Sequence, residues 1–207
     1  MLLDADDSQL VLVDYQVRLM PAIFENELVI ANAVRLARIA QVFAVPVWGT
    51  VEDPDKLGPN VPAVQSAIEA AGGKTLSKMH FDAVADGLGD RLRPPVRKAP
   101  GGGNARSLPK HLQKPAPEPE VGRSIIVIAG CETHVCLMQT ALGLLEEEFE
   151  VWVVTDACSS RSERNRDAAF DRLAGSGAEL VTTEMVAFEW LRTAEHPAFR
   201  EVLALVK

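Results

Sequence analysis

The stretch IVIAGCETHVCLMQTALGLLEEEFEVWVVTDACSSR, residues 126 to 161, places a strand, a turn with two cysteines, a helix and a second strand within 36 residues. The run SIIVIAG, ending at Gly130, is rich in β-branched and small residues, which suits a strand covered on both faces. Apolar residues at Leu137, Ala141, Leu144 and Leu145 are spaced for one buried face of a helix. Thr133 is the expected N-cap. Cys136 then lies in the first turn, where unpaired backbone N–H groups and the helix dipole favour a thiolate.

Outward from this unit the same alternation repeats. SQLVLVDYQ, residues 8 to 16, is a strand whose apolar run stops at the carboxylate of Asp14. NELVIANAVRLARIAQVFAV has apolar residues at Leu28, Ala31, Val34, Ala37 and Val42, a helix with Asn26 as cap. PVWGTVED is a second strand, VPAVQSAIEAAGG a helix closed by Gly72 and Gly73, and KTLSK a third strand ending at Lys78. Beyond the opening stretch come a helix over residues 162 to 174, a sixth strand in GAELVTTE, and helices in EMVAFEWLRTA and HPAFREVLALVK. Strand alternating with helix predicts an α/β fold, a six-stranded, mainly parallel sheet with helices on both faces. With the doubly wound order 3-2-1-4-5-6, strands 1 and 4 meet at the switch point, where ligands bind beyond the carboxyl ends.

The whole chain, 1–207, reads as a single domain: 47% of residues are hydrophobic and 24% charged, enough for a full core. One segment interrupts it. Residues 93 to 122 hold seven prolines and a triple glycine, the composition of a long surface excursion. The N-terminus MLLDADDSQL lacks the basic and apolar regions of a signal peptide, and no apolar run is long enough to span a membrane. Three cysteines at irregular spacing fit free thiols in a reducing compartment, so the expected location is cytoplasmic. A net charge of −8 weighs against nucleic-acid binding, which needs a basic face. Small molecules and protein partners remain.

Asp14, Lys78 and Cys136 all stand at or just past predicted strand ends: a thiol nucleophile, a carboxylate to take its proton and an ammonium to lower the thiolate pKa. Taken singly, each has a plain structural reading: a turn-capping Asp, a solvated Lys, a buried Cys. Cys131 and Cys136 do not make a zinc pair, since their offset fits no usual ligand pattern. No Gly-rich phosphate loop follows the first strand, which argues against a nucleotide-binding module.

LVLVDYQ, LSKMHFDAV, AGCETHVCLMQTALGLLEEEFEVWVVTDACSSR and TTEMVAFEWLRTAEHPAFREVLALVK occur in this order. Together they resemble the isochorismatase-like cysteine hydrolases, most of all the subgroup named for isochorismatase domain-containing proteins. The resemblance spans nearly the whole chain and implies an isochorismatase-like, Rossmann-like three-layer sandwich. It implies a catalytic triad of Asp14 as base, Lys78 as electrostatic partner and Cys136 as nucleophile. It further implies a cis peptide between Cys131 and Glu132, with the Glu132 and Cys136 N–H groups forming an oxyanion hole. The implied reaction is metal-independent hydrolysis of a C–N bond in a small amide, imide or carbamoyl compound through a thioester. Vinyl-ether hydrolysis and a non-catalytic scaffold role are the alternatives. Nicotinamidases of this fold carry an Asp-x-His metal pair after the second strand; TVEDPDKLGP has no histidine, so neither metal nor other cofactor is expected. Tyr15, Trp48, His80, Phe81 and His134 are candidate pocket residues. A homo-oligomer, dimer or tetramer, is expected, and the substrate's identity stays open.

Overall fold

The computed structural model describes residues 1–93 and 122–207. The predicted excursion at 93–122 therefore falls almost wholly outside the described residues. Six strands form one sheet in the order 3-2-1-4-5-6: β1 (Ser8–Val13), β2 (Val47–Glu52), β3 (Lys74–Lys78), β4 (Ile125–Gly130), β5 (Glu150–Val154) and β6 (Glu179–Val181). Every neighbouring pair is parallel. The expected order is thus borne out, and among the described residues no strand pair of the sheet is antiparallel. Central strands β1 and β4 are buried at every residue, which is why they read as continuous apolar runs and not as alternating ones.

The helices are α1 (Asn26–Val42), α2 (Pro54–Leu57), α3 (Pro62–Ala70), α4 (Leu88–Leu92), α5 (Met138–Glu146), α6 (Glu163–Gly175), α7 (Thr183–Leu191) and α8 (Phe199–Val206). Right-handed crossovers running both ways from the centre put the crossover helices α1 and α3 on one face and α5 and α6 on the other, and α7 and α8, which follow β6, return to the α1 face. Accordingly α1 packs against α3, α7 and α8, and α5 packs against α6. The buried face of α1 is Val29, Ala33, Leu36, Ala37 and Ala40, offset from the predicted stripe; Leu28 is 50% exposed. Nor does Asn26 cap this helix: Glu25 stands at the N-cap with φ 53°, and no side chain caps the helix. Ser162 Oγ accepts from Asn165 N at α6 and Thr182 Oγ1 from Met185 N at α7, so these two helices do start on side-chain caps.

Two features aim the strand ends at one place. In register, Val13 stands beside Gly130 and Glu52 beside Lys78. Gly130 has φ +156°, and a Cβ there would lie 2.3 Å from Val13 O. Only glycine lets β4 press this closely on β1 just before the turn to Cys136. Among the described residues no helix is long and apolar enough to cross a membrane.

Candidate active site

The carboxyl ends of β1, β2, β3 and β4 supply one polar cluster inside an apolar sheet. Asp14, the residue after β1, is fully buried with φ 54°, a left-handed conformation that costs a non-glycine residue about 1 kcal/mol or more. Its Oδ1 accepts from Thr50 Oγ1 at 2.6 Å. Its Oδ2 lies 2.8 Å from Lys78 Nζ. Lys78 is 1% exposed, a position a lysine holds only when paired. Its ammonium also meets Glu52 Oε2 at 2.6 Å and donates to the carbonyls of His80, at 3.2 Å, and Phe81, at 3.4 Å. Burial works against the charge of Lys78, yet Asp14, Cys136 and the hydrogen bonds to Asp14 and Glu52 hold its pKa above the ordinary value.

Cys136 completes the cluster, with ligand atoms of Asp14, Glu52 and Cys136 lying within 4.8 Å of one another. It sits in a π-helical turn, Thr133–Leu137, that precedes α5, the local irregularity that often accompanies functional sites. Burial first, then the Asp14 carboxylate, push its thiol well above the ordinary range; Lys78 pulls down and Glu52 adds to the rise. The lysine and the helix start were expected to give a thiolate. In the fold, desolvation and two carboxylates outweigh one ammonium, a balance that favours the thiol. The place a cation would take between the carboxylates is held by the Lys78 ammonium itself.

The turn is braced from its far side. The Cys131–Glu132 peptide is cis. Glu132 O accepts from Val135 N at 3.0 Å and Leu137 N at 3.3 Å, and Thr133 N donates to Ser159 O at 2.9 Å. The Glu132 carboxylate takes Arg161 N and Arg161 Nε, both at 2.9 Å. Thr133 is not the N-cap: its hydroxyl is buried and has no hydrogen-bond partner among the described residues.

Residues 106–185 match the family profile described as the isochorismatase domain. Over 202 residues the chain is 32% identical to isochorismatase domain-containing protein 2 of Rattus norvegicus, covering 98% of this chain and 82% of that protein. The chain belongs to the isochorismatase-like hydrolase family. Its fold superposes on the MAR1 ribonuclease of Caenorhabditis elegans with TM-score 0.82 and 26% identity, covering 100% of this chain and 92% of the other. It also matches YcaC from Pseudomonas aeruginosa, solved with hexane-2,5-diol and covalent acrylamide, with TM-score 0.76 and 25% identity over 99% and 91% of the two chains.

In this isochorismatase-like chain the candidate pocket residues scatter. Tyr15 is fully buried in the core and lines no open pocket: it has no accessible surface and donates from its hydroxyl to Ala157 O at 2.6 Å. Trp48 is the second residue of β2, at the opposite end of that strand from Glu52, about 13 Å away at strand rise. Phe81 is 51% exposed beside the lysine. His80 lends its carbonyl to Lys78 while its ring, largely exposed, lies 3.2 Å from Asp86. His134 Nδ1 is 2.9 Å from Ser160 Oγ. The sequence reading missed Glu52, Thr50 and Gln16. One signal for Glu52 was available, since the VWGTV run ends on a carboxylate just as LVLV ends on Asp14.

Proposed function

We propose that this isochorismatase-like chain is a cysteine hydrolase of small amide, imide or carbamoyl C–N bonds, with Cys136 as nucleophile. The observation that carries the reading is the buried Lys78–Asp14 pair at 2.8 Å with Cys136 beside it. Because the thiol is held protonated, the thiolate forms as Asp14 takes the Sγ proton and the sulfur attacks the carbonyl carbon. Lys78 keeps Asp14 oriented and offsets the charge that builds up. The Glu132 and Cys136 N–H groups receive the oxyanion, donors whose individual loss costs on the order of 3 kcal/mol of barrier. Asp14 then returns the proton to the leaving nitrogen, releasing ammonia or an amine and a thioester. Water, deprotonated by the same carboxylate, cleaves the thioester and restores the thiol.

Covalent acrylamide in the Pseudomonas aeruginosa YcaC structure supports a nucleophile in this fold, since acrylamide is an electrophilic amide. The ribonuclease name of the Caenorhabditis elegans relative is set aside, because this chain carries a net charge of −8 and its site lysine is buried. The same proposal makes the chain one domain acting as a cytoplasmic homo-oligomer. Its three cysteines are free thiols, and Phe188, Met185 and Leu28 leave apolar surface exposed; light scattering against the 22.4 kDa chain mass checks the assembly. The reaction is tested by screening ammonia release from small amides, ureides and carbamoylated amines, with RNA cleavage followed separately by gel, for wild type and Cys136→Ser side by side. Ammonia from the wild type alone supports the reading; turnover of RNA, or of no C–N substrate, removes it.

A further inference from the structure

Glu52 is a second carboxylate on the site lysine, and the mechanism above makes no use of it. It is 7% exposed, and its Oε2 lies 2.6 Å from Lys78 Nζ. Its position is fixed through its backbone by Gln16, itself without accessible surface. Gln16 Oε1 accepts from Glu52 N at 2.9 Å, while Gln16 Nε2 donates to Glu52 O at 2.8 Å and Gly58 O at 2.7 Å. An Asp–Lys pair alone would be neutral before the thiol ionises. With Glu52 the cluster already carries one excess negative charge, and an ionised Cys136 would add another within 4.8 Å.

We infer that Glu52 is a positioning residue acting through Lys78: it pins the ammonium against Asp14, and its charge keeps Cys136 a thiol until a substrate carbonyl arrives. Asp14, and not bulk water, then receives the thiol proton. This inference rests on the cysteine mechanism proposed above. The charged and titratable groups facing Cys136 and Lys78 are Asp14 after β1, Glu52 on β2, Lys78 on β3 and Asp82 beyond it. Asp82 is held above its ordinary range, chiefly by burial, and Lys78 works against that rise.

The test reads Cys136 alone: iodoacetamide alkylation of the native protein at one mildly alkaline pH, quantified by peptide mass spectrometry, for wild type, Glu52→Gln, Glu52→Asp and Asp14→Asn. Removing a unit charge this close should lower the thiol pKa by about one unit or more. Glu52→Gln is therefore expected to alkylate about ten-fold faster or more, and Glu52→Asp, which keeps the charge, within about two-fold of wild type. Cys131 and Cys158, both buried, are the folding control. Should they label in Glu52→Gln, the inference is decided by Glu52→Asp, where a wild-type rate supports it and a faster one overturns it. Acceleration in Asp14→Asn with none in Glu52→Gln overturns the role of Glu52 and leaves the cysteine mechanism standing. No acceleration in either variant overturns both.

Discussion

At the scale of single residues, the site depends on one buried ammonium balancing two buried carboxylates. Lys78→Met leaves Asp14 and Glu52 unpaired, a situation that costs about 3–5 kcal/mol. Urea unfolding should show that loss, and adding Asp14→Asn should recover part of it, because the two changes act on one pair. Asp14, Lys78 and Cys136 were legible because each ends or follows a recognisable run. Glu52 also ends such a run, but its pairing with Lys78 is set by the β2–β3 register, which no local pattern encodes. Tyr15 was misplaced for a related reason. The chain leaves the strand at Asp14, whose φ is 54°, and Tyr15 turns to Ala157 in the core. The thiol's direction of shift was also beyond reach of sequence: helix position and lysine were visible, while burial and the second carboxylate were not.

At the scale of elements, the turn after β4 carries Cys136, and the loop after β3 supplies the His80 and Phe81 carbonyls that hold Lys78. Gly130→Ala would drive a Cβ into Val13 O and force β4 off β1; overpacking of this kind costs about 1–3 kcal/mol. The expected result is a lower melting temperature together with a loss of turnover, since Asp14 and Cys136 hang from these two strand ends. Ser162→Ala, by contrast, removes only the α6 cap and should cost about 1 kcal/mol with turnover unchanged. In the loop after β3, Asp86 accepts from Met79 N at 3.0 Å and His80 N at 2.9 Å. The His80 backbone hydrogen bond, then those of Met79 N and the His80 ring, hold its carboxyl below its ordinary value. A depressed carboxylate contributes stability above its unfolded pKa and loses it as pH falls through the folded one. Amide protection at Met79 and His80 should therefore hold at neutral pH and fall in acid below the usual carboxylate range. Asp86→Asn should show the weakened state already at neutral pH. Strand and helix identities were largely legible from apolar period, whereas caps were not: Asn26 and Thr133 look like caps in sequence, but the chain enters α1 through Glu25 and the site turn through Glu132.

For the whole molecule, the sheet order was legible because strand and helix alternate, and right-handed crossovers leave few ways to wind them. The convergence of four strand ends on one ammonium is the consequence of that order. The core cysteines report on global integrity. Burial pushes the Cys158 thiol up to about 12 and that of Cys131 well above its ordinary range, so neither should react in the folded protein. Both should become reactive together as urea unfolds the chain; labelling of Cys158 under native conditions would show the sheet opening locally at β5. The central claim is that turnover passes through the sulfur of Cys136, and its most direct test is the rate of ammonia release by Cys136→Ala on a substrate the wild type hydrolyses. With the melting temperature of the variant close to that of the wild type, the predicted rate is lower by about 10⁴-fold or more. A folded Cys136→Ala protein that releases ammonia at the wild-type rate would contradict the account.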